Sequence, residues 1–246
     1  ALICERGLPL LGALALFSTS NLSKWFFRSL VFLVAIVTVA TFSRAAFLAI
    51  FVASSISALC WYQIKYRKAL MSVSLLLLPL IVLVVVTIPD QLGTVFRVSD
   101  SSTLTRLWLW EAAVTLLSQS PIFGIGPDNF LYLHTDHLSP EAWREPNLSH
   151  PHNIALDAWL STGIFGAAAL AASYGYIFVK LGSLKLTPPN NWLLRGVLVA
   201  TAIGALHGLV DNSYFLPELA GIHWALVAFS STIRSGTTDK PASPAD

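Results

Sequence analysis

The sequence predicts an all-α membrane protein, from its composition and from the length of its apolar runs. Of its 246 residues, 55% are hydrophobic and 11% are charged, whereas an average soluble domain carries roughly 25% charged residues. A bilayer core requires about 20 mostly apolar residues per spanning helix. Runs of about that length predict seven transmembrane helices, at residues 7–20, 26–42, 44–62, 69–88, 153–180, 192–210 and 215–233.

These segments form one predicted transmembrane domain, residues 1–234. Residues 235–246 are rich in Ser, Thr, Pro and Asp, which predicts a disordered cytoplasmic tail. The second and third segments abut at Thr41 to Arg44. The chain therefore either reverses tightly there or continues as one long broken helix.

The placement of lysine and arginine predicts the orientation, because cytoplasmic loops of membrane proteins retain positive charge. If the segments alternate, the predicted cytoplasmic side holds Lys24, Arg28, Lys65, Arg67, Lys68, Lys180, Lys185, Arg195, Arg234 and Lys240. The external side receives only arginines, namely Arg6, Arg44, Arg97, Arg106 and Arg144. A planar guanidinium suits phosphate and carboxylate oxygens. This distribution favours an anion site on the external face.

The long external loop, about residues 89–152, is predicted to be functional, because loops beyond about 12–15 residues usually are functional or disordered. It contains an aromatic-rich amphipathic helix from Leu104 to Val114, typical of a membrane interface, with Thr103 or Thr105 as its N-cap. The glycines in residues 121–130 then allow tight backbone turns.

The sequence His-Pro-His-Asn at residues 150–153 leads directly into the fifth apolar segment. Asn153 suits a helix start, where unsatisfied N–H groups favour an anion. His152 either accepts a proton from a hydroxyl near neutral pH or only hydrogen-bonds the loop. Gly163, together with Gly166, is predicted to allow close approach by a neighbouring helix, which is a structural role.

Two further groups of residues each have two interpretations, one as part of a functional site and one as ordinary contacts of a membrane protein. Arg44 and Arg106 either contact lipid headgroups or converge near a histidine as a diphosphate clamp with bidentate hydrogen bonds. Ionisable groups near membrane depth are functional candidates, but they can also satisfy one another inside the bundle. The residues concerned are His207, Asp211 and Glu218.

Several site classes are disfavoured. His134, His137, His150 and His152 invite a zinc site, but the loop lacks cysteine and a helical histidine pair, so no metal is predicted. The Gly124-x-Gly126 turn follows no predicted strand, which argues against a dinucleotide fold or a P-loop. A net charge of +2 is too small to indicate nucleic acid as a partner.

Three motifs together resemble the O-antigen ligase and O-antigen polymerase superfamily. They are Ser43-Arg44-Ala45 at a helix start, Arg106-x-Trp108 before Gly124-Ile125-Gly126-Pro127-Asp128-Asn129-Phe130, and His152-Asn153 followed by nine residues and Gly163. The last matches the ligase signature of a histidine, then Asn, Ser or Gln, nine residues and Gly. The resemblance spans about residues 30–233.

The resemblance implies a GT-C-like bundle in the bacterial cytoplasmic membrane, with its active site on the external, periplasmic face. The implied reaction is metal-independent and inverting, and it needs no cofactor. A glycan would pass from undecaprenyl diphosphate to a hydroxyl of lipid A core or of another glycan, among membrane lipids. The implied catalytic residues are His152 as base, with Arg44 and Arg106 on the diphosphate. Residues expected to contact substrate are Arg97, Arg144, Asn153, Gly124, Gly126 and Asp128.

Alternatives stay open at this point. Family members usually have about a dozen spans, so seven spans favour a chain that is the C-terminal portion of a larger bundle. A polymerase of the same superfamily would carry every motif quoted. A membrane solute transporter is the alternative from another class, but transport predicts polar residues spread through the midplane, whereas those in this sequence gather on one face.

Overall fold

The computed structural model describes residues 1–41, 43–60, 101–137, 149–184, 190–212, 214 and 216–233, without the side chains of residues 44, 58–60, 101–103 and 190. Within these ranges the chain forms helices and no strands, which confirms the all-α class. The helices are α1 (Leu2–Phe17), α2 (Asn21–Ala40), α3 (Arg44–Cys60), α4 (Ser101–Gln119), α5 (Phe130–Leu133), α6 (Ile154–Gly182), α7 (Asn190–Gly208) and α8 (Pro217–Thr232). A short 3-10 turn, His134–His137, follows α5.

Helices α2 and α6 are each long and apolar enough to cross a membrane, with mean hydropathies of 1.7 and 1.5. Only 6% and 17% of their apolar windows are buried. A core helix of a soluble protein would be mostly buried, so this exposed apolar surface fits lipid contact. The seven predicted spans are not confirmed as a set. The span predicted at 69–88 lies outside the described residues, and the other four correspond to helices of 16, 17, 19 and 16 residues.

The predicted helix boundaries need correction at the N-terminus. Helix α1 begins at Leu2 and ends at Phe17, instead of covering 7–20. Helix α2 begins at Asn21 instead of residue 26, because the Ser20 hydroxyl accepts a hydrogen bond from the Ser23 N–H at 3.1 Å and caps the helix. Glu5 and Arg6 near the start of α1, and Asn21, Ser23 and Lys24 at the start of α2, hid the true helix starts from a hydropathy pattern.

Helix α4 differs more from its prediction. It extends over Ser101–Gln119, so Thr103 and Thr105 both lie inside it and neither is an N-cap. Its buried residues form one apolar cluster with residues of α5 and α6, so α4 packs against the bundle. The cluster contains Leu109, Ala113, Leu116, Leu117, Phe130 and Leu160.

Residues 41–43 separate α2 from α3, and the two helices pack against different neighbours. Helix α2 lies on α1, whereas α3 lies mainly on α7. The α3 contact is built from small residues, because Ala49 and Ala53 pack against Ile203. The helices joined at the predicted break thus belong to different parts of the bundle.

Helices α1 and α7 run antiparallel. Glu5 contacts His207 near the end of α7, whereas Pro9 and Ala13 lie against Gly196 near its beginning. Arg6 donates to the Leu219 carbonyl in the first turn of α8 at 3.5 Å. The start of α1, the start of α6, the end of α7 and the start of α8 therefore meet at one end of the bundle, which is called the His152 end below.

Candidate active site

His152 contacts a carboxylate at this end of the bundle. Its Nδ1 lies 2.8 Å from Oδ1 of Asp211, which is 59 residues away in the chain. The two side chains are 22% and 27% exposed. With Nδ1 bound to the carboxylate, Nε2 is the ring nitrogen that can take a proton. A partly exposed imidazole oriented in this way is chemically suited to general-base catalysis.

Asn153 fixes the position of the histidine that precedes it. Its side-chain oxygen accepts hydrogen bonds from the N–H groups of Ala155 at 3.0 Å and Leu156 at 3.1 Å, which makes it the N-cap of α6. Its amide nitrogen also donates to the Leu209 carbonyl at 3.0 Å. Asn153 therefore ties the start of α6 to the end of α7. The predicted helix start is confirmed, and a contact of Asn153 with substrate stays a prediction.

The backbone at His152 has a positive φ of 49°. This left-handed conformation is uncommon for a residue other than glycine and often occurs at functional sites. The N–H of His152 donates to Nδ1 of His150 at 3.3 Å, and the two rings meet edge to face with centroids 4.4 Å apart. The neighbouring histidine thus helps to hold the turn in which His152 lies.

The charges at the site follow from these contacts. Burial alone would raise the pKa of Asp211, but the hydrogen bond and charge of His152, the Asn212 N–H and the charge of His207 together lower it to about 2. Burial, followed by the charge of His152, lowers the pKa of His150 to about 4. At neutral pH Asp211 is therefore a carboxylate and His150 is uncharged.

A second histidine–carboxylate pair lies directly behind the first. His207 Nδ1 is 2.7 Å from Oε1 and 2.8 Å from Oε2 of Glu5, and the exposed fractions of the two side chains are 2% and 0%. His207 Nε2 lies 3.9 Å from Oδ2 of Asp211. The sequence singled out His207 and Asp211 but gave no sign of Glu5. Glu218, the third residue of that prediction, is exposed at the start of α8.

Gly163 interrupts α6, with φ of 71° and ψ of −176°. The interruption separates the N–H of Ile164 from the Leu160 carbonyl, its regular helical acceptor. Ile164 donates to the Ile122 carbonyl at 3.0 Å instead. The Leu160 carbonyl accepts from Ile125 at 2.7 Å and from Gly126 at 3.2 Å. The loop before α5 therefore satisfies the backbone groups that the kink releases.

Glycine is required at this junction by space as well as by conformation. A Cβ at Gly163 would lie 2.2 Å from the Ile122 carbonyl oxygen, and a Cβ at Gly124 would lie 2.3 Å from that of Leu160. The structural role predicted for Gly163 is thus correct, but its close partner is a loop instead of a helix. Gly124 and Gly126 have φ of 69° and 90°. Their backbone conformation and packing explain why both positions hold glycine, and a contact of either glycine with substrate stays a prediction.

The two arginines expected to accompany His152 lie on different helices. Arg106 is on the face of α4 that carries Leu109 and Ala113, and this face packs on α6 at Leu160. Arg44 is the first residue of α3. The convergence of both arginines on His152 stays a prediction. Arg97 and Arg144, which are expected to assist, lie outside the described residues.

A mostly apolar cleft of about 260 Å³ opens beside the site, between α6 and α8. It begins at Ile154, two residues after His152, and extends along α6 to Leu170. Asp157 lines its outer part, and Tyr214, which accepts a hydrogen bond from Trp224, lines the side facing α8. Neither His152 nor Arg106 is among the lining residues. The cleft therefore adjoins the histidine without containing it.

His134, another histidine of the loop, is surrounded by groups that give it a structural role. His134 is fully buried, stacks on Phe130 with ring centroids 4.9 Å apart, and lies 2.7 Å from the Phe130 carbonyl through Nδ1. Across the described part of the chain, no group of three or more His, Cys, Asp or Glu side chains is placed to hold a metal ion. Asp128, another residue expected to bind substrate, is exposed in a turn with φ of 59°.

Comparison with known proteins adds independent information about the same residues. Residues 29–171 match the family model described as O-Antigen ligase. The match covers more than half of the chain and includes Arg44, Arg106, the glycine loop, His152 and Gly163. No curated protein sequence matches the chain.

Proposed function

Because the chain belongs to the O-antigen ligase family, we propose that it transfers a glycan from undecaprenyl diphosphate to an acceptor hydroxyl, with His152 as general base. The family makes the protein a membrane glycosyl-transfer enzyme of the ligase or polymerase type in polysaccharide biosynthesis. One observation carries the more specific proposal. The bond between His152 Nδ1 and Asp211 fixes the ring and leaves Nε2 to accept a proton.

The proposed reaction is a single displacement with inversion. The acceptor hydroxyl oxygen attacks the anomeric carbon of the donor sugar, and its proton passes to Nε2 of His152. The bond from the anomeric carbon to the diphosphate oxygen breaks, and undecaprenyl diphosphate leaves with the electron pair. Asp211 stabilises the imidazolium that forms, because its low pKa keeps it ionised. Release of the proton to water restores the base.

Arginines supply the positive charge that the leaving diphosphate requires. The position of Arg106 on the face of α4 that packs on α6 supports this role, as does the position of Arg44 at the start of α3. Charge-assisted bidentate hydrogen bonds from either guanidinium would stabilise the charge that develops as the glycosidic bond breaks. Arg97 and Arg144 would make auxiliary contacts with the donor. The apolar cleft along α6 suits a hydrocarbon chain of a lipid-linked substrate.

The proposed side of the membrane is the external one. Arg6 lies at the His152 end, as the charge pattern predicted for an external residue. Lys180 and Arg195 lie toward the other ends of α6 and α7, where the pattern places the cytoplasm. The His152 end would therefore face the periplasm, where lipid-linked glycans and their acceptors are both accessible.

The test uses the purified protein in liposomes with undecaprenyl-diphosphate glycan as donor. Wild type, His152→Ala, Arg44→Ala and Arg106→Ala are compared, with His137→Ala as a control histidine outside the site. Loss of the base should lower the transfer rate by about 10²–10⁴-fold, whereas His137→Ala should retain wild-type activity. Transfer at the wild-type rate by His152→Ala would overturn the proposal.

The acceptor distinguishes the two types of enzyme within the family. A ligase should extend lipid A core, whereas a polymerase should join two lipid-linked glycans and release one undecaprenyl diphosphate. Each product is separated by size and identified by mass spectrometry. A solute flux into the same liposomes that disappears in His152→Ala, without any glycan product, would favour a transporter instead.

A further inference from the structure

The cleft between α6 and α8 has two kinds of lining along α6. Beyond the kink at Gly163, α6 contributes glycine, alanine and leucine, which suit a hydrocarbon chain. The section before the kink is called the mouth of the cleft below, and it is lined by Ile154, Asp157, Ala158 and Ser161. A carboxyl group and a hydroxyl group therefore lie one helical turn apart in the part of the cleft nearest the proposed base.

The polar and aromatic lining groups match a sugar ring. The Asp157 carboxyl oxygens accept hydrogen bonds, and the Ser161 hydroxyl can donate or accept. On the side facing α8, the Tyr214 hydroxyl accepts from Trp224, so its own hydrogen can be donated. The Trp224 ring is 50% exposed. A ligand with hydroxyl groups at its edge and C–H groups on its face fits such a combination of a few polar groups and aromatic walls.

Asn212 connects the mouth of the cleft with the base pair. It is only 3% exposed. Its N–H donates to Oδ1 of Asp211 at 2.8 Å, and its side-chain oxygen accepts from the N–H of Tyr214 at 3.1 Å. Its side-chain amide lies beside the Asp157 carboxyl group, although the amide nitrogen makes no hydrogen bond of regular geometry within the described residues. One buried residue thus orients Asp157 relative to the partner of His152 and leaves its oxygens available to a ligand.

The charge of the lining distinguishes the acceptor from the donor. The part of the chain that the structure describes contributes no arginine or lysine to the lining of the cleft. The diphosphate of the donor requires such cations, so the mouth is unsuited to the linkage between the donor sugar and its lipid. An acceptor sugar needs only hydroxyl recognition close to the base. The mouth begins at Ile154, two residues after His152.

We infer that the mouth of the cleft binds a sugar ring of the acceptor glycan, and that Asp157 is a specificity-determining residue whose carboxyl oxygens accept hydrogen bonds from its hydroxyl groups. This inference rests on the proposed function, in which His152 activates an acceptor hydroxyl. A sugar that lacks the matching hydroxyl leaves the carboxyl group without its partner and is rejected. Asp157 therefore selects among acceptors, whereas His152 acts on whichever acceptor is bound.

Steady-state kinetics test the role of Asp157. Asp157→Asn keeps the size of the side chain but removes one acceptor oxygen, so KM for the acceptor should rise about 10-fold. The value of kcat should be unchanged, because the contact is made equally in the ground state and the transition state. A role in folding alone would instead reduce the amount of active enzyme at the wild-type KM. The control is Asp136→Asn, an exposed carboxylate outside the cleft. A wild-type KM for Asp157→Asn would overturn the inference.

Cysteine protection tests the occupant of the mouth without turnover. Ala158→Cys places a thiol in the mouth, and Ala155→Cys places one on an exposed position of α6 outside the lining. The probe is the sugar part of the acceptor that the transfer assay identifies, released from its lipid. It should slow maleimide labelling of Ala158→Cys only, and adding Asp157→Asn should weaken the protection. Protection by undecaprenol instead of the sugar, or by neither, would overturn the inference.

The transfer assay separates this inference from the proposed function. If His152→Ala loses activity while Asp157→Asn keeps the wild-type KM, only the sugar site in the mouth is wrong. If His152→Ala retains activity, the proposed function itself is wrong.

Discussion

The two histidine–carboxylate pairs at the His152 end have nearly the same geometry and very different surroundings. His152 and Asp211 are 2.8 Å apart and 22% and 27% exposed, whereas His207 and Glu5 are 2.7 Å apart and 2% and 0% exposed. The first pair joins two segments at helix ends, and the second joins two packed helices. The two hydrogen bonds are thus nearly equal in length and differ in their access to water.

We expect this difference in solvent exposure to separate a catalytic role from a structural role. A base must exchange its proton with substrate and solvent, which requires a partly open position. A buried ion pair cannot do this, but removal of one partner leaves an uncompensated charge in the bundle. The outer pair should therefore govern activity, and the inner pair should govern stability. Three substitutions test these expectations.

Asp211→Asn should produce the largest effect, on activity. The amide still fills the space but no longer fixes the ring tautomer or stabilises an imidazolium, so the transfer rate should fall by roughly 10²–10⁴-fold. The midpoint of thermal unfolding should fall less than in a variant of the fully buried Glu5, because the Asp211 side chain is partly exposed. Assays of initial rate and thermal melting on the same preparation check both expectations. A large loss of thermal stability with unchanged activity would contradict the catalytic role expected of the outer pair.

Glu5→Ala should produce the largest effect on stability. It leaves His207 buried without its charged partner, which costs about 3–5 kcal/mol when a buried pair is broken. The free energy of unfolding can be measured by denaturant titration in detergent micelles. The matched control is Glu218→Ala, since Glu218 is an exposed carboxylate of α8. Equal stabilities for the two variants would show that the inner pair contributes nothing to the fold.

His150→Gln should have the smallest effect, confined to acid pH. The pKa of His150 is about 4 in the folded protein and about 6.5 when unfolded. A lowered pKa means that the folded state disfavours the proton. Its stabilising contribution is therefore complete above pH 6.5 and is lost as the pH falls toward 4.

The variant should accordingly lose less stability than wild type between pH 6.5 and 4, as followed by melting temperature against pH. A glutamine oxygen can still accept the His152 N–H, so activity at neutral pH should persist. His137→Gln serves as the control histidine and should follow the wild-type curve. Parallel curves for wild type and His150→Gln would contradict the role assigned to this side chain.

Much of the candidate site was accessible from sequence. The helix start at Asn153 was predictable, because N-capping depends on residues within one turn. A structural role for Gly163 was also predictable, because a glycine in a membrane helix permits close approach by another segment, although its partner was not. The loop that packs on Gly163 lies about 40 residues earlier, and only its backbone conformation at Gly124 and Gly126 allows the exchange of hydrogen bonds.

The extent of α4 was not predictable in the same way. Ser101 and Thr103 are residue types that favour helix caps in general, yet the helix includes both of them. Its buried stripe from Leu109 to Leu117 forms only against α5 and α6. Packing against these neighbours overrode the local preference.

The helical membrane class and the choice of His152 as the residue to test follow from the amino-acid sequence alone. Apolar length, charge placement and a motif of a dozen residues are properties of short stretches, so they can be read without the fold. The carboxylates that the histidines contact are a property of the folded chain. Asp211 is 59 residues from His152, and Glu5 is 202 residues from His207. These contacts depend on the antiparallel packing of α1 and α7 and on the junction of α6 with α7, which bring helix ends together that no local pattern connects.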